Sequence, residues 1–316
     1  MSKFNIRHIT RYRYEGEVSD SANQVMLYPI VDSFQEVLSH EIQVSGNPPI
    51  SVHEDYYGNR IGTFTQPLAH AELVIDSQLS VLTRHKPLPD GTSEGVNDWK
   101  ALEGIRLDAR YIDFLKPERF GSFPELAEVL EAERCKQCSP IETAVDFCKY
   151  VYENFTYEKG ITTVETTLDE IWKLKTGVCQ DFAHILLVML RHLNIPARYV
   201  SGYVCPNKGG MRGEGATHAW VEAFIPSHGW LGLDPTNNCM VNETHVRLAV
   251  GRNFSDCSPV RGTYRGVSDH TLEVSVTVSY EGDNVVAKDH EVVFSSPSTS
   301  HYRNSFRKHQ EMQMQQ

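Results

Sequence analysis

The chain has 316 residues, 40% hydrophobic and 22% charged, with a formal net charge of −11. That length suits about two domains, and the apolar fraction supplies a real core, which excludes a chain disordered throughout. An acidic balance without a Lys/Arg-dense stripe excludes nucleic acid as the main partner, because phosphate binding needs a basic footprint.

The first residues, MSKFNIRHITRYRYEGE, lack the apolar core of a signal peptide. Residues 3–15 alternate, with Phe4, Ile6, His8, Thr10, Tyr12 and Tyr14 in one phase, which predicts a strand. EVLSHEIQVSG, HEDYYGNRIGTFTQP and AHAELVIDSQLSVLTR repeat the style, separated by the turn signals NPP, YGN and QP. Residues 1–95 are therefore expected to form an N-terminal antiparallel β-sandwich-like domain, followed by the linker KPLPDGTSEG. Residues 96–294 are grouped as a core with preceding helices and C-terminal strands, and 295–316 as a polar tail.

Within that core, SFPELAEVLEAE has an apolar i, i+3, i+4 rhythm and reads as a helix. SPIETAVDFCKYVYENF predicts a second, with Ser139 as N-cap, Pro140 at the first position and Glu142 closing a capping box. TTLDEIWKLKTG is a shorter third, and CQDFAHILLVMLRHL a fourth that ends at Asn194 and Pro196. Strands return in ARYVSGYV, THAWVEAFI, WLGLD and HTLEVSVTVSY, so the expected class is α+β. No run reaches the ~18 apolar residues of a membrane span, and no membrane partner is expected.

Seven cysteines are an odd, sparse set rather than a disulfide framework, and with no export signal the expected setting is a reducing cytoplasm. Cys179 opens the fourth helix, which is apolar nearly all round and so central to a core. A helix's first turn has unpaired N–H groups and the positive end of the macrodipole, an environment suited to an anionic sulfur. Gly177 is expected to keep the approach to that sulfur open.

A thiolate nucleophile needs a base, and the base needs an orienting group. His184 lies about 140° around the helix from Cys179, which suits a packed or capping histidine. His218 sits on the strand THAWVEAF, and Asp234 is sixteen residues on (234 − 218). A hairpin centred on Pro226 would set the two opposite one another. Glu222 shares the face of His218 but lies about 13 Å along the strand, and Asp181 reads as a carboxylate complementing the helix dipole. The candidate triad is Cys179, His218 and Asp234.

The segments KTGVCQDFAHILLVMLRHLNIPARYVSGY, THAWVEAF and GWLGLDPTNN resemble the transglutaminase-like superfamily of papain-type cysteine enzymes. IRHITRYRYEGEVSDSANQVMLYP, EDYYGNRIGTF and VRLAVGRNFSDCSPVRGTYRG extend the resemblance to its bacterial branch with an N-terminal β domain. It implies a papain-like core, a helix-borne cysteine packed on an antiparallel sheet, and the same three triad positions. The Cys179 N–H is then the natural first oxyanion donor, with Tyr157 or Trp172 as a second donor or, equally, as core aromatics.

Cys135 and Cys138 have zinc-like spacing but no second pair, and no D-x-D-x-D-G calcium loop is present, so neither a metal nor a cofactor is expected. The glycine-rich CPNKGGMRGEGATH reads either as a lid over the cleft or as an ordinary surface loop. The expected function is acyl transfer on a peptide or protein amide substrate, with hydrolysis of peptide or isopeptide-like bonds favoured. The alternatives are transfer to an amine, as in a transglutaminase, and a non-catalytic binding module that keeps the fold.

Overall fold

The computed structural model describes residues 1–87, 95–118, 120–133, 138–162, 166–205, 211–213, 216–266, 269–280 and 290–295. Most of the linker, and the tail beyond Ser295, lie outside the described residues.

The chain opens with β1 (Ser2–Val25), β2 (Gln35–Val44), β3 (Ser51–Glu54), β4 (Arg60–Gln66) and β5 (His70–Thr83). The helical stretch holds α1 (Gly95–Gly104), α2 (Ile112–Leu115), α3 (Phe123–Glu133) and α4 (Pro140–Asn154). Then come β6 (Thr156–Tyr157), α5 (Leu168–Leu174), β7 (Thr176–Gly177) and α6 (Cys179–His192). Five strands follow: β8 (Ala197–Val204), β9 (Thr217–Ile225), β10 (Gly229–Asp234), β11 (Cys239–Met240) and β12 (His245–Gly251). The last described strands are β13 (Val260–Arg265), β14 (His270–Tyr280) and β15 (His290–Ser295).

β1 is the spine of an eight-stranded antiparallel sheet. Its first half pairs with β5 along one edge and β14 along the other; beyond a register break after Arg13, residues 22–25 pair with β4 and β13. The strand changes partners along its length, so the sheet curls around a core that includes Phe4, Ile6, Tyr12, Ile75, Val81 and Val274. The sequence reading groups the C-terminal strands with the second domain, but β13 and β14 hydrogen-bond to β1 itself and β15 to β14. The reason is that β1 stays extended for 24 residues and so offers two long edges.

The second sheet runs β11-β10-β9-β8-β12. Helix α6 lies against it, and Phe182, Ala183, Leu186, Met189 and Leu190 are all fully buried. Ala219, Val221 and Ala223 of β9 join this core from one side, Ala144, Phe147 and Val151 of α4 from another. Ser139 closes the expected capping box with Glu142, and Thr167 makes the same box with Glu170 at the start of α5. The two halves are fastened where Tyr203, Cys205, Val246 and Leu248, on and around β8 and β12, enter the core of the β1 sheet.

Candidate active site

Cys179 is the first residue of α6 and 4% exposed. Its N–H belongs to the first turn and has no acceptor within the helix. The approach is fixed by β6 and β7, which pair Tyr157 with Gly177 in parallel. Asp181 accepts from the Val178 N–H and from Thr162 Oγ1, each at 2.8 Å, and burial raises its carboxyl to about 6. A Cβ on Gly177 would stand 2.4 Å from Asp181 Oδ2. The glycine therefore makes room for that cap, not for the approach to sulfur that the sequence suggested.

The β9–β10 hairpin differs from expectation in register. Ile225 pairs with Gly229 and Val221 with Leu233, so the turn centres on Ser227 and the ladder, continued, faces Asp234 to Trp220. His218 is one same-face step from Trp220, which makes His218 and Asp234 diagonal neighbours, still within reach of an imidazole and a carboxylate. Asp234 Oδ2 accepts from His218 Nε2 at 2.8 Å, with both side chains fully buried.

Asp234 is unusually well supplied with donors. Oδ2 also receives Asn237 Nδ2 at 2.7 Å and His245 Nε2 at 3.3 Å, while Oδ1 takes the backbone N–H groups of Thr236 at 2.9 Å and Asn237 at 3.3 Å. Burial opposes the ionised form, yet the charge of His218 and the hydrogen bonds of His218 and His245 hold Asp234 far below the ordinary carboxylate range. Burial likewise works against a charged His218, but Asp234 and the Cys179 sulfur together raise it to about 10.

The free face of His218 is the informative one. Its Nδ1 is buried without a hydrogen bond of standard geometry, although the Cys179 sulfur lies near enough to raise the ring. Catalytic hydrogen bonds are commonly long before substrate binds. Cys179, Gln180, Tyr199, Thr217, His218 and Ala219 enclose a cavity of about 10 Å³, roughly the space one water needs. Gly213 passes over the same face, and a Cβ there would stand 2.5 Å from Nδ1.

Of the two expected oxyanion aromatics, Tyr157 stands by the thiol: burial and then the Cys179 sulfur raise its hydroxyl. Trp172 is committed elsewhere, its indole N–H donating to Glu125 at 3.0 Å among Phe120 and Phe155. His184 packs as expected, accepting from the Phe254 N–H at 3.2 Å beside Tyr199. Glu222 is held by Arg198 at 2.6 Å, away from the imidazole. Cys135 lies outside the described residues and Cys138 is disulfide-bonded, so the latter offers no thiolate ligand. Of the glycine-rich loop, residues 206–210, 214 and 215 also lie outside the description.

Three contributors escaped the sequence reading: Asn237, His245 and Gly213. Asn237 follows Asp234 within DPTN, and an Asx-type turn signal there was the available clue. One atom each from Asp234, Cys239 and His245 lies within 4.8 Å of the others, a spacing that could hold a metal ion. The trio is self-satisfied, because His245 already bonds Asp234, and burial and Asp234 push the Cys239 thiol up to about 12.

Comparison with known proteins agrees with this architecture. The family described as "Transglutaminase-like superfamily" matches residues 131–235, and the "Bacterial transglutaminase-like N-terminal region" matches residues 4–82. The "Uncharacterized protein Rv2569c" of Mycobacterium tuberculosis H37Rv is 31% identical over 303 residues, covering 89% of this chain and 94% of its own. The "Protein-glutamine gamma-glutamyltransferase" of Pseudomonas aeruginosa PAO1 is 31% identical over 99 residues, 28% of this chain and 14% of its own. The solved structure of a "Putative Cysteine Protease" from Cytophaga hutchinsonii superposes with a TM-score of 0.72 at 22% identity, over 90% of this chain and 92% of its own. A papain-like core with a β domain before it is thus common ground, and the chain belongs to the transglutaminase-like superfamily, in the bacterial form that carries the N-terminal region.

Proposed function

We propose that the protein is a thiol-dependent acyl-transfer enzyme that hydrolyses peptide or isopeptide-like amide bonds. One observation carries the reading: His218 is anchored through Nε2 to an ionised Asp234, while Nδ1, without a hydrogen bond of standard geometry, faces the Cys179 sulfur. A buried imidazole nitrogen with no better partner than a sulfur is costly in a merely structural role.

In the forward step the Cys179 thiolate attacks the amide carbonyl carbon, and the oxyanion takes hydrogen bonds from the Cys179 N–H and the Tyr157 hydroxyl. The C–N bond then breaks, His218 gives its Nδ1 proton to the leaving amine, and a thioester remains. His218 next takes a proton from water, whose oxygen attacks the thioester; the C–S bond breaks, the acid leaves, and the Cys179 thiolate is restored beside a protonated His218. Asp234 holds the ring throughout and stabilises its charged form. An amine in place of water would complete a transglutaminase reaction on the same acyl-enzyme. The segment shared with the P. aeruginosa glutamyltransferase favours keeping that acceptor in the screen. Among the described residues Cys148, Cys179, Cys205, Cys239 and Cys257 are not disulfide-bonded whereas Cys138 is, so a uniformly reduced set of cysteines, from which the cytoplasm was expected, is not what the structure holds. Among the described residues no helix is long and apolar enough to cross a membrane.

The test is the pH dependence of iodoacetamide labelling, read at the Cys179 peptide, with Cys179→Ser as the site control and His218→Ala as the partner control. Rapid labelling below pH 7 that slows in His218→Ala is expected. Labelling that rises only near pH ~8.5 and ignores His218 overturns the proposal.

A further inference from the structure

Three donors converge on one oxygen of Asp234: Asn237 at 2.7 Å, His218 at 2.8 Å and His245 at 3.3 Å. A carboxylate oxygen has about two lone-pair sites, so three donors compete and the longest bond is the adjustable one. His245 is the first residue of β12, on the far edge of the sheet from β10, and its side chain has no solvent-exposed surface. Trp220 fixes the ring edge-on at 5.2 Å between centroids, from the strand that also carries His218.

The other nitrogen has no comparable partner. His245 Nδ1 lies 3.3 Å from Thr244 Oγ1, and that hydroxyl has Asn242 Oδ1 as a second partner at 2.7 Å. A hydroxyl has one proton to give. Asn242 Oδ1 takes it, so the bond at the other end is the one that fixes the ring: ionised Asp234 receives the hydrogen on Nε2 and Nδ1 is left without one. Burial holds His245 below its ordinary value, against the pull of Asp234. The ring is thus a neutral donor at neutral pH. The charged groups facing it are Asp234 and His218; the nearby thiols of Cys148 and Cys239 are pushed up by burial and stay uncharged.

We propose that His245 is a positioning residue: by sharing Asp234 with His218 it fixes the carboxylate and sets how firmly that carboxylate holds the His218 proton. A donor on Asp234 withdraws negative charge from the His218 bond, so its presence makes imidazolium easier to deprotonate. The second half of the reaction needs that release, because His218 must become a base. The inference rests on the reading of Cys179 and His218 as a working pair.

The experiment compares wild type, His245→Phe, which keeps a ring but no donor, and His245→Gln, whose amide N–H can stand near the Nε2 position. Cys179 is alkylated with iodoacetate, an anion whose rate falls as the imidazolium is lost, so the alkaline limb of the profile reports His218. The expected result is an alkaline limb moved up by about 0.5 pH unit or more in His245→Phe, with His245→Gln at the wild-type position. A folded His245→Phe with an unmoved limb overturns the inference. Should His245→Phe fail to fold, His245→Leu removes the donor with a smaller side chain and is expected to move the limb the same way; no movement there overturns it equally. Failure of the enzyme reading looks different, since wild-type Cys179 would then label as a free thiol with no alkaline limb. In that event ¹⁵N imidazole titration of His218 in Cys179→Ser, with and without His245→Phe, decides the coupling alone: an upward shift sustains it and an unchanged titration ends it.

Discussion

Gly213 combines two constraints that rarely meet at one residue. Its φ of +87° lies in the left-handed region, and a Cβ would press on His218 Nδ1 at 2.5 Å. An L side chain there costs roughly 1–2 kcal/mol of backbone strain and turns the imidazole away from the sulfur. Gly213→Ala is therefore expected to keep the fold, with little change in Tm, while the neutral-pH alkylation rate of Cys179 falls by about tenfold or more. Wild-type labelling in that variant would show that the loop and the imidazole move independently. Sequence order hid this contact: the glycine-rich loop was visible as a loop, but only the fold reveals that one of its glycines touches His218. The grouping of Cys179, His218 and Asp234 was legible for the opposite reason. Cys179 stands at a helix start marked by Gly177, and His218 and Asp234 lie on neighbouring strands of one hairpin, so each has a local signal. His245 has none, since its partner is reached across the sheet.

At the scale of elements, helix ends were the most readable feature, because caps are local chemistry. The Ser139–Glu142 box forms as its spacing predicts, with Ser139 N–H to Glu142 Oε2 at 2.7 Å. Strand register was not readable to the residue: the hairpin turns one position later than a centre on Pro226 implies, where Gly229 adopts a φ of +84°. Reach across a diagonal pair spares the His218–Asp234 contact from that difference. The entrance to α6 has less tolerance. Gly177→Ala must displace the Asp181 carboxylate from Val178 N–H and Thr162 Oγ1, two bonds at 2.8 Å. Hydrogen bonds to a charged group contribute about 1.5–3 kcal/mol each, so the substitution is expected to lower stability by roughly 2–4 kcal/mol. Urea unfolding measures it, and a loss below about 0.5 kcal/mol would mean that the cap simply re-forms around the methyl group.

On the scale of the whole molecule, the β1 spine joins the chain's two ends into one sheet, a long-range pairing that alternation alone does not specify. His8, on that spine, ties the halves together: it is fully buried, pairs with the Tyr203 hydroxyl of β8 at 2.9 Å and with Thr10 Oγ1 at 3.2 Å. Burial lowers His8 to about 4, against a weaker opposing effect of Asp76. An unfolded histidine takes its proton near 6.5, so the stability due to a neutral His8 is complete above pH 6.5 and is lost as pH falls towards about 4. At 1.36 kcal/mol per pH unit, the loss over that window reaches at most about 3 kcal/mol. His40, also lowered to about 4 by burial and then by Arg60, adds to the same acid limb. His218 has the opposite sign. Raised to about 10, it contributes stability that is fully present below pH 6.5 and is lost as pH climbs from there through about 10. The two signs place the stability maximum near neutrality and assign each flank to a different histidine. Urea midpoints measured from pH 4 to 10 are expected to show a flatter acid flank in His8→Gln and a flatter alkaline flank in His218→Gln, each leaving the other flank in place. If His8→Gln retains the full acid slope, the interface between the two sheets is not where the molecule feels acid, and the carboxylates become its cause, Asp234 first among them.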